Sequence, residues 1–227
     1  MRKINELISL LFLAAVCSSC APTSGNVPKY GAPTGNFVGT TGDASRLLSA
    51  NSILILPVMF DEKARAQSPN APLYYDALVN AFRSDVDVDL KADERLLRDL
   101  NMAGIPQCGR PQIEAARRYD AEAVLCTTIH QFTEREGSAL GAERPASLSF
   151  SMEMRRAEDG ELIWGGDFVF RDAALNENLL RLPQLVSERS AAGGGWQSAR
   201  SALVRGFREA SQDFARKRLE KFAPGQF

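Results

Sequence analysis

Ser52-Ile53-Leu54-Ile55-Leu56-Pro57-Val58-Met59-Phe60 is apolar on both alternating parities. A strand of that kind is covered on both faces, as in the centre of a parallel sheet. A parallel neighbour requires a crossover, usually a helix. The polar, Pro-containing stretch 61–72 reads as a loop. Beyond it Tyr74, Ala77, Leu78, Ala81 and Phe82 recur at helical spacing, which predicts a helix over 71–84. Val86-Asp87-Val88-Asp89-Leu90 alternates and reads as a short strand. Leu96, Leu97 and Leu100 mark a second helix, with Gly104 beyond its end. Pro111 opens a third helix whose buried side carries Ile113, Ala116 and Tyr119. Residues 121–134, with Val124, Thr127, Thr128, Ile129 and Phe132, are rich in strand formers.

Toward the C-terminus, residues 136–145 read as a mobile connection. Then Leu148, Phe150, Met152 and Met154 alternate with Ser147, Ser149, Ser151, Glu153 and Arg155. That strand has one buried and one wet face. Asp159-Gly160 is a hairpin signal. The return strand places Leu162, Trp164, Phe168 and Phe170 on one parity. A short helix is expected around Glu177–Arg181, then the Gly193-Gly194-Gly195-Trp196 run. A long basic helix closes the chain, with Leu203, Phe207, Ala210 and Phe214 on its apolar face. The sum is a single α/β (α+β) domain over 50–227. It has a mixed sheet with a parallel β-α-β start, an antiparallel hairpin and a C-terminal helix.

The N-terminus is an address. Arg2 and Lys3 precede the apolar run Leu7–Val16, which is too short to span a bilayer and suits a signal peptide. Ser18-Ser19-Cys20 resembles a bacterial lipobox, which implies cleavage after residue 19 and acylation of Cys20. Cys17 fits the pattern less well because Val16 precedes it. Ala21 after the lipid cysteine resembles the outer-membrane side of the enterobacterial sorting rule. Acyl chains anchor without spanning, at about 0.8 kcal/mol per buried methylene. Residues 20–49, rich in Gly, Pro, Ser and Thr, read as a flexible tether.

Composition excludes several roles. The 227 residues carry 27 Lys and Arg against 28 Asp and Glu, a net charge of −1, so the footprint of a nucleic-acid binder is missing. One histidine and four cysteines supply no metal-ligand set and no cofactor motif. His130, the single histidine, shares strand parity with Val124, Cys126, Thr128 and Phe132, and reads as a strand residue with a local hydrogen bond. Asp85, Asp87 and Asp89 fall on one side of an extended segment and read as a charged sheet edge. Gly193-Gly194-Gly195 lacks the Lys-Ser/Thr of a phosphate loop. The basic face of the last helix is compatible with anionic headgroups or an acidic partner, and equally with docking on the sheet.

The order from Ile53-Leu54-Ile55-Leu56-Pro57, through Ala115-Ala116-Arg117-Arg118-Tyr119-Asp120-Ala121-Glu122-Ala123-Val124-Leu125, to Gly160-Glu161-Leu162-Ile163-Trp164 resembles the TolB N-terminal, CsgG-like and LpoB-like group of periplasmic lipoproteins. The stretch from Trp164 through Phe168 to Leu175-Asn176-Glu177-Asn178-Leu179 is also similar to bacterial lipoproteins of unassigned role. The resemblance covers about residues 52–215 and implies a small α/β envelope domain. The function it favours is non-enzymatic. The protein would be anchored to the membrane by lipid and would bind an envelope protein or peptidoglycan as an assembly or regulatory accessory. Two other readings stand beside it. One is an enzyme on envelope polymers acting through Glu134, Glu136 or Glu153. The other is a subunit of an oligomeric export complex, although no added amphipathic strand pair of a pore is visible.

Cys108 and Cys126 are the two thiols left after processing, in an oxidising compartment. The helix from Pro111 to Tyr119 travels about 13 Å, and the strand from Glu122 to Cys126 returns about 13 Å. The two cysteines therefore come level. The layer gap of about 10 Å opposes the Cα separation of about 7 Å or less that a bridge needs. A disulfide and a buried free Cys126 both remain open at this level.

Cys20→Ala should abolish membrane retention. Fractionation and labelled-palmitate incorporation check this; equal membrane association of mutant and wild type would refute the lipobox reading.

Overall fold

The computed structural model describes residues 35–42, 44–65, 71–92, 108–138, 141–171 and 197–222. They belong to one unit, Pro33–Phe227. In chain order the elements are β1 (Phe37–Thr41), α1 (Ala44–Ser49), β2 (Ser52–Ile55), β3 (Met59–Phe60), α2 (Glu62–Arg65), α3 (Ala71–Asp85) and β4 (Asp89–Lys91). There follow α4 (Arg110–Arg118), β5 (Ala123–Thr133), β6 (Glu136–Ser138), β7 (Gly141–Arg144), β8 (Ser147–Arg156), β9 (Leu162–Arg171) and α5 (Ala199–Phe222). The expected helices and strands that fall in 93–107 and 172–196 lie outside the described residues.

The domain is α/β with a mixed sheet. Strand order is β1-β9-β8-β5-β2-β4, and β3 also pairs with β5. The apolar stretch that begins at Ser52 occupies the predicted interior position: β2 runs parallel to both β4 and β5. Ile53, Leu54, Ile55 and Leu56 are all fully buried, because each face of β2 is covered. From β5 onward the pairing is antiparallel, through β8 and β9. Gly160 sits at φ +78° in the turn between β8 and β9, a conformation that favours glycine.

The larger core lies between one sheet face and the pair α3 and α5. Ile53, Ile55, Leu125, Phe150, Met152, Trp164 and Phe168 from the sheet meet Leu78, Phe82, Leu203, Phe207 and Phe214 from the helices. The predicted apolar stripe of the last helix, Leu203, Phe207, Ala210 and Phe214, is fully buried. A smaller core on the other face packs Leu54, Leu56, Val124 and Cys126 against Ala115 and Ala116 of α4.

Several sequence expectations need correction. The stretch 61–72, read as a loop, holds α2 at Glu62–Arg65. The apolar stretch 52–60, read as one strand, is two, β2 and β3, with Pro57 between them. The tether does not run to residue 49, because residues 37–49 form β1 and α1. β1 pairs with β9 in the register Phe37↔Phe168 to Thr41↔Trp164, and Leu47 of α1 is fully buried. Composition hid this because the short apolar pairs Phe37-Val38 and Leu47-Leu48 stand apart in a stretch otherwise rich in Gly, Ser and Thr. The strand expected at 86–90 is β4 at Asp89–Lys91, and Val86 is buried at the end of α3. The stretch 136–145 holds the β6–β7 hairpin.

A chain starting at Ala50 should therefore be markedly less stable than one starting at Ala21. Exposing the cover that Phe37 and Leu47 provide costs about 3–4 kcal/mol, or a fall of roughly 8 °C or more in Tm. Matched melting curves would refute a structural role for β1 and α1.

Candidate functional site

α4 covers only the β2–β5 half of its sheet face. On the remaining half, cross-strand pairing aligns Thr128, Ser151, Asp167 and Val38 from β5, β8, β9 and β1. Ser149 and Val169 form the neighbouring row. The predicted wet face of β8 is thus part of a flat polar strip, with Val38 at 65% and Val169 at 44% exposure.

His130 is the residue the pairing skips. Ile129 pairs with Phe150 and Gln131 with Ser149, so His130 is the extra residue of a β-bulge. The bulge corrects the parity expected from sequence. Phe132 points into the core opposite Leu148, whereas His130 stays on the open face. There its Nε2 lies 2.8 Å from Ser151 Oγ, and its Nδ1 lies 3.4 Å from Asp61 Oδ2. The local reading of His130 foresaw one hydrogen bond; the structure gives it two partners from distant segments.

Asp61 is held independently of the histidine. Its other carboxylate oxygen accepts the Ala64 N–H at 2.9 Å, capping the start of α2. Its own N–H donates to Ile129 O at 3.0 Å. In the tautomer with its proton on Nδ1, the nitrogen facing the Asp61 carboxylate, Nε2 accepts from the Ser151 hydroxyl. The side chains of His130 and Asp61 are 46% and 29% exposed, so the group is open to solvent.

The carboxylates proposed for acid–base work each have partners of their own, and Glu153 lies far along the sheet from Glu134. Glu134 accepts the N–H groups of Ala199 and Arg200 at the start of α5. Glu136 pairs with Arg144 at 2.7 Å and Glu153 with Arg155 at 2.7 Å. Glu153 lies opposite Cys126, whereas Glu134 follows Thr133 at the far end of β5. At about 3.3 Å per residue, the separation exceeds the roughly 5–9.5 Å used by carboxylate pairs. Asp85, Asp87 and Asp89 do not share one extended segment either. Asp85 ends α3 and accepts from Ser211 Oγ at 2.5 Å, and only Asp89 lies in β4. Among the described residues no three His, Cys, Asp or Glu groups converge as a metal site.

The basic residues of α5 are largely engaged within the domain. Arg216 and Lys217 pair with Asp213 at 2.6 and 2.9 Å. Arg205 lies over the Phe168 and Phe170 rings, and Arg218 donates to Leu47 O and Ala50 O. A cleft of about 410 Å³ is lined by Arg46, Arg117, Glu122, Arg156 and Glu158 among others. Its arginines are also taken: Arg117 by Ala157 O and Glu158 O, Arg46 by Asp159 and Glu161, Arg156 by Glu158 and Asp159. Among the described residues no helix is long and apolar enough to cross a membrane. Cys20, Gly193–Gly195 and Trp196 lie outside the described residues.

No protein family and no curated protein matches the chain. Solved structures are similar to it in part. The PelC dodecamer of Paraburkholderia phytofirmans is 13% identical, over 79% of this chain and 96% of that one, with a TM-score of 0.49. Lipoprotein GNA1162 of Neisseria meningitidis is 16% identical, over 63% and 99%, with a TM-score of 0.39. The LpoB C-terminal domain of Salmonella enterica is 21% identical, over 56% and 92%, with a TM-score of 0.38. These are partial likenesses of an α/β fold.

Cys108 and Cys126 are joined by a disulfide, with Cα atoms 5.7 Å apart. The segment just before α4 approaches β5 closely enough to close the layer gap. Non-reducing peptide mapping of the mature protein should recover the two peptides linked. Replacing both cysteines by serine should lower stability by about 3 kcal/mol. Recovery of both thiols alkylated would exclude the bond.

Proposed function

We propose that the protein is a lipid-anchored component of the cell envelope, held through Cys20 at the periplasmic side of the outer membrane. There it binds a protein or cell-wall partner as an assembly or regulatory accessory. The observation that carries this reading is the contrast between the two edges of the sheet. β4 is three residues long and carries Asp89 and Lys91, the usual protection against unwanted pairing. β1, Phe37-Val38-Gly39-Thr40-Thr41, has no charge and no proline, and Val38 is 65% exposed. An uncharged edge strand accepts an extended segment by backbone hydrogen bonding, with side-chain pockets adding specificity.

A photo-crosslinking residue at position 38, in lipidated protein within its native membrane, should capture a discrete partner. The same residue at Val204, an exposed position on α5, should not. Val38→Lys should reduce co-purification of that partner roughly tenfold while leaving Tm within about 2 °C. Equal capture from both positions, or full partner recovery with Val38→Lys, would refute docking at β1.

A further inference from the structure

The geometry points to a nucleophilic serine at Ser151, with His130 as its general base and Asp61 as the positioning residue. It goes beyond binding at the β1 edge and does not depend on it. The three residues come from three separate parts of the chain, and the pairing of β5 with both β3 and β8 brings them together. Their order is that of a serine–imidazole–carboxylate relay. Ser151 Oγ meets Nε2 at 2.8 Å, and Nδ1 meets Asp61 at 3.4 Å. Such a set is recognised by geometry and roles, whatever the fold or chain order.

Two features make the arrangement more than a surface contact. His130 is the bulge residue of β5, and a bulge re-aims a side chain that regular pairing would hold elsewhere. Asp61 is fixed by its capping bond to Ala64 and by its backbone bond to Ile129, next to the histidine it orients. The carboxylate therefore selects the tautomer that leaves Nε2 as the base.

The reaction proceeds as follows. The Ser151 hydroxyl attacks an acyl carbon, its Oγ forms the new bond, and its proton passes to His130 Nε2. The C–O bond to the leaving group then breaks, and His130 returns that proton to the departing alcohol. Water attacks the acyl-serine by the same route, releasing the acid and restoring the hydroxyl. Asp61 remains ionised throughout and stabilises the imidazolium.

The surroundings set the substrate class. Asp167 is the cross-strand neighbour of Ser151 on β9, and Thr128 is its neighbour on β5. The Asp167 carboxylate beside the serine and the Asp61 carboxylate behind His130 disfavour an anionic electrophile. A neutral carboxylic ester on an extended chain fits the flat, solvent-open strip. β8 lies between two paired strands. Its backbone N–H groups are engaged, so the developing oxyanion depends on side-chain hydroxyls and water. Turnover should accordingly be slow, and acylation is the step to measure.

The test uses detergent-solubilised lipidated protein and a neutral alkyl phosphonofluoridate probe, whose phosphorus takes the place of the acyl carbon and whose fluoride leaves. Peptide mapping should find the adduct on Ser151, and Ser151→Ala should remove it while the neighbour Ser149→Ala retains it. His130→Ala should slow labelling roughly 100-fold, and added imidazole should restore part of the rate, which a purely structural role would not allow. Asp61→Asn should slow labelling, with partial recovery in Asp61→Glu. Wild-type protein alone decides the first arm: no adduct on Ser151 overturns the proposal. So does an adduct whose rate is unchanged in folded His130→Ala.

Discussion

One buried hydrogen bond, from Trp164 Nε1 to Asp213 Oδ2 at 3.1 Å, fixes how the closing helix sits on the sheet. Trp164 is fully buried on β9, with the rings of Phe37, Phe82 and Phe214 around it. Asp213 reaches it from α5. Burial by itself pushes the Asp213 carboxyl up. Hydrogen bonds from Lys217, Trp164 and Arg216 outweigh that and hold it below the ordinary carboxylate range. A carboxyl lowered in this way contributes stability that is present above its unfolded pKa and is lost as pH falls through the lowered value. β1 passes directly over the pair. A Cβ at Gly39 would collide with the Asp213 carboxylate, so the strand seats only because that position is glycine. One polar contact thereby joins the edge strand, its neighbour and the closing helix.

Similar polar ties complete the attachment of α5. Arg218 reaches the carbonyls of Leu47 and Ala50 at the end of α1, and Ser211 reaches Asp85 at the end of α3. Glu209 accepts the Phe37 N–H at 2.9 Å at the start of β1. A buried donor or charge without its partner costs more than the contact contributes net. These ties therefore specify one seating of the helix more than they add to stability. They give Arg205, Arg216, Lys217 and Arg218 of this basic helix partners within the domain.

Among the described residues, α3 and α5 cover one face of the sheet and α4 covers the β2–β5 half of the other. That division gives the molecule two adjoining features, an uncharged edge at β1 and, continuous with it, a strip carrying Thr128, Ser149 and Ser151 across β5, β8 and β9. The bulge at His130 is the local break in the pairing that turns an imidazole toward a serine. Rigid strands keep Ser151 and His130 in register without help from a loop. Binding at the edge and chemistry on the strip therefore use different constraints of the same sheet.

Local pattern in the sequence determined most of the architecture. Unbroken apolarity at 52–60 required a covered parallel strand, alternation at 147–155 required a half-wet one, and the spacing from Leu203 to Phe214 required a helix against the sheet. Each is a short-range periodicity set by backbone geometry. Tertiary structure alone decided what depends on distant segments. β1 and α1 could not be read because their few apolar residues acquire meaning only beside Trp164 and α5. Phe132 and His130 were assigned one face because a bulge inserts a residue that alternation cannot register. The meeting of Asp61, His130 and Ser151 was equally illegible, since strand pairing between separate parts of the chain brings them within hydrogen-bonding reach and no sequence spacing encodes that distance.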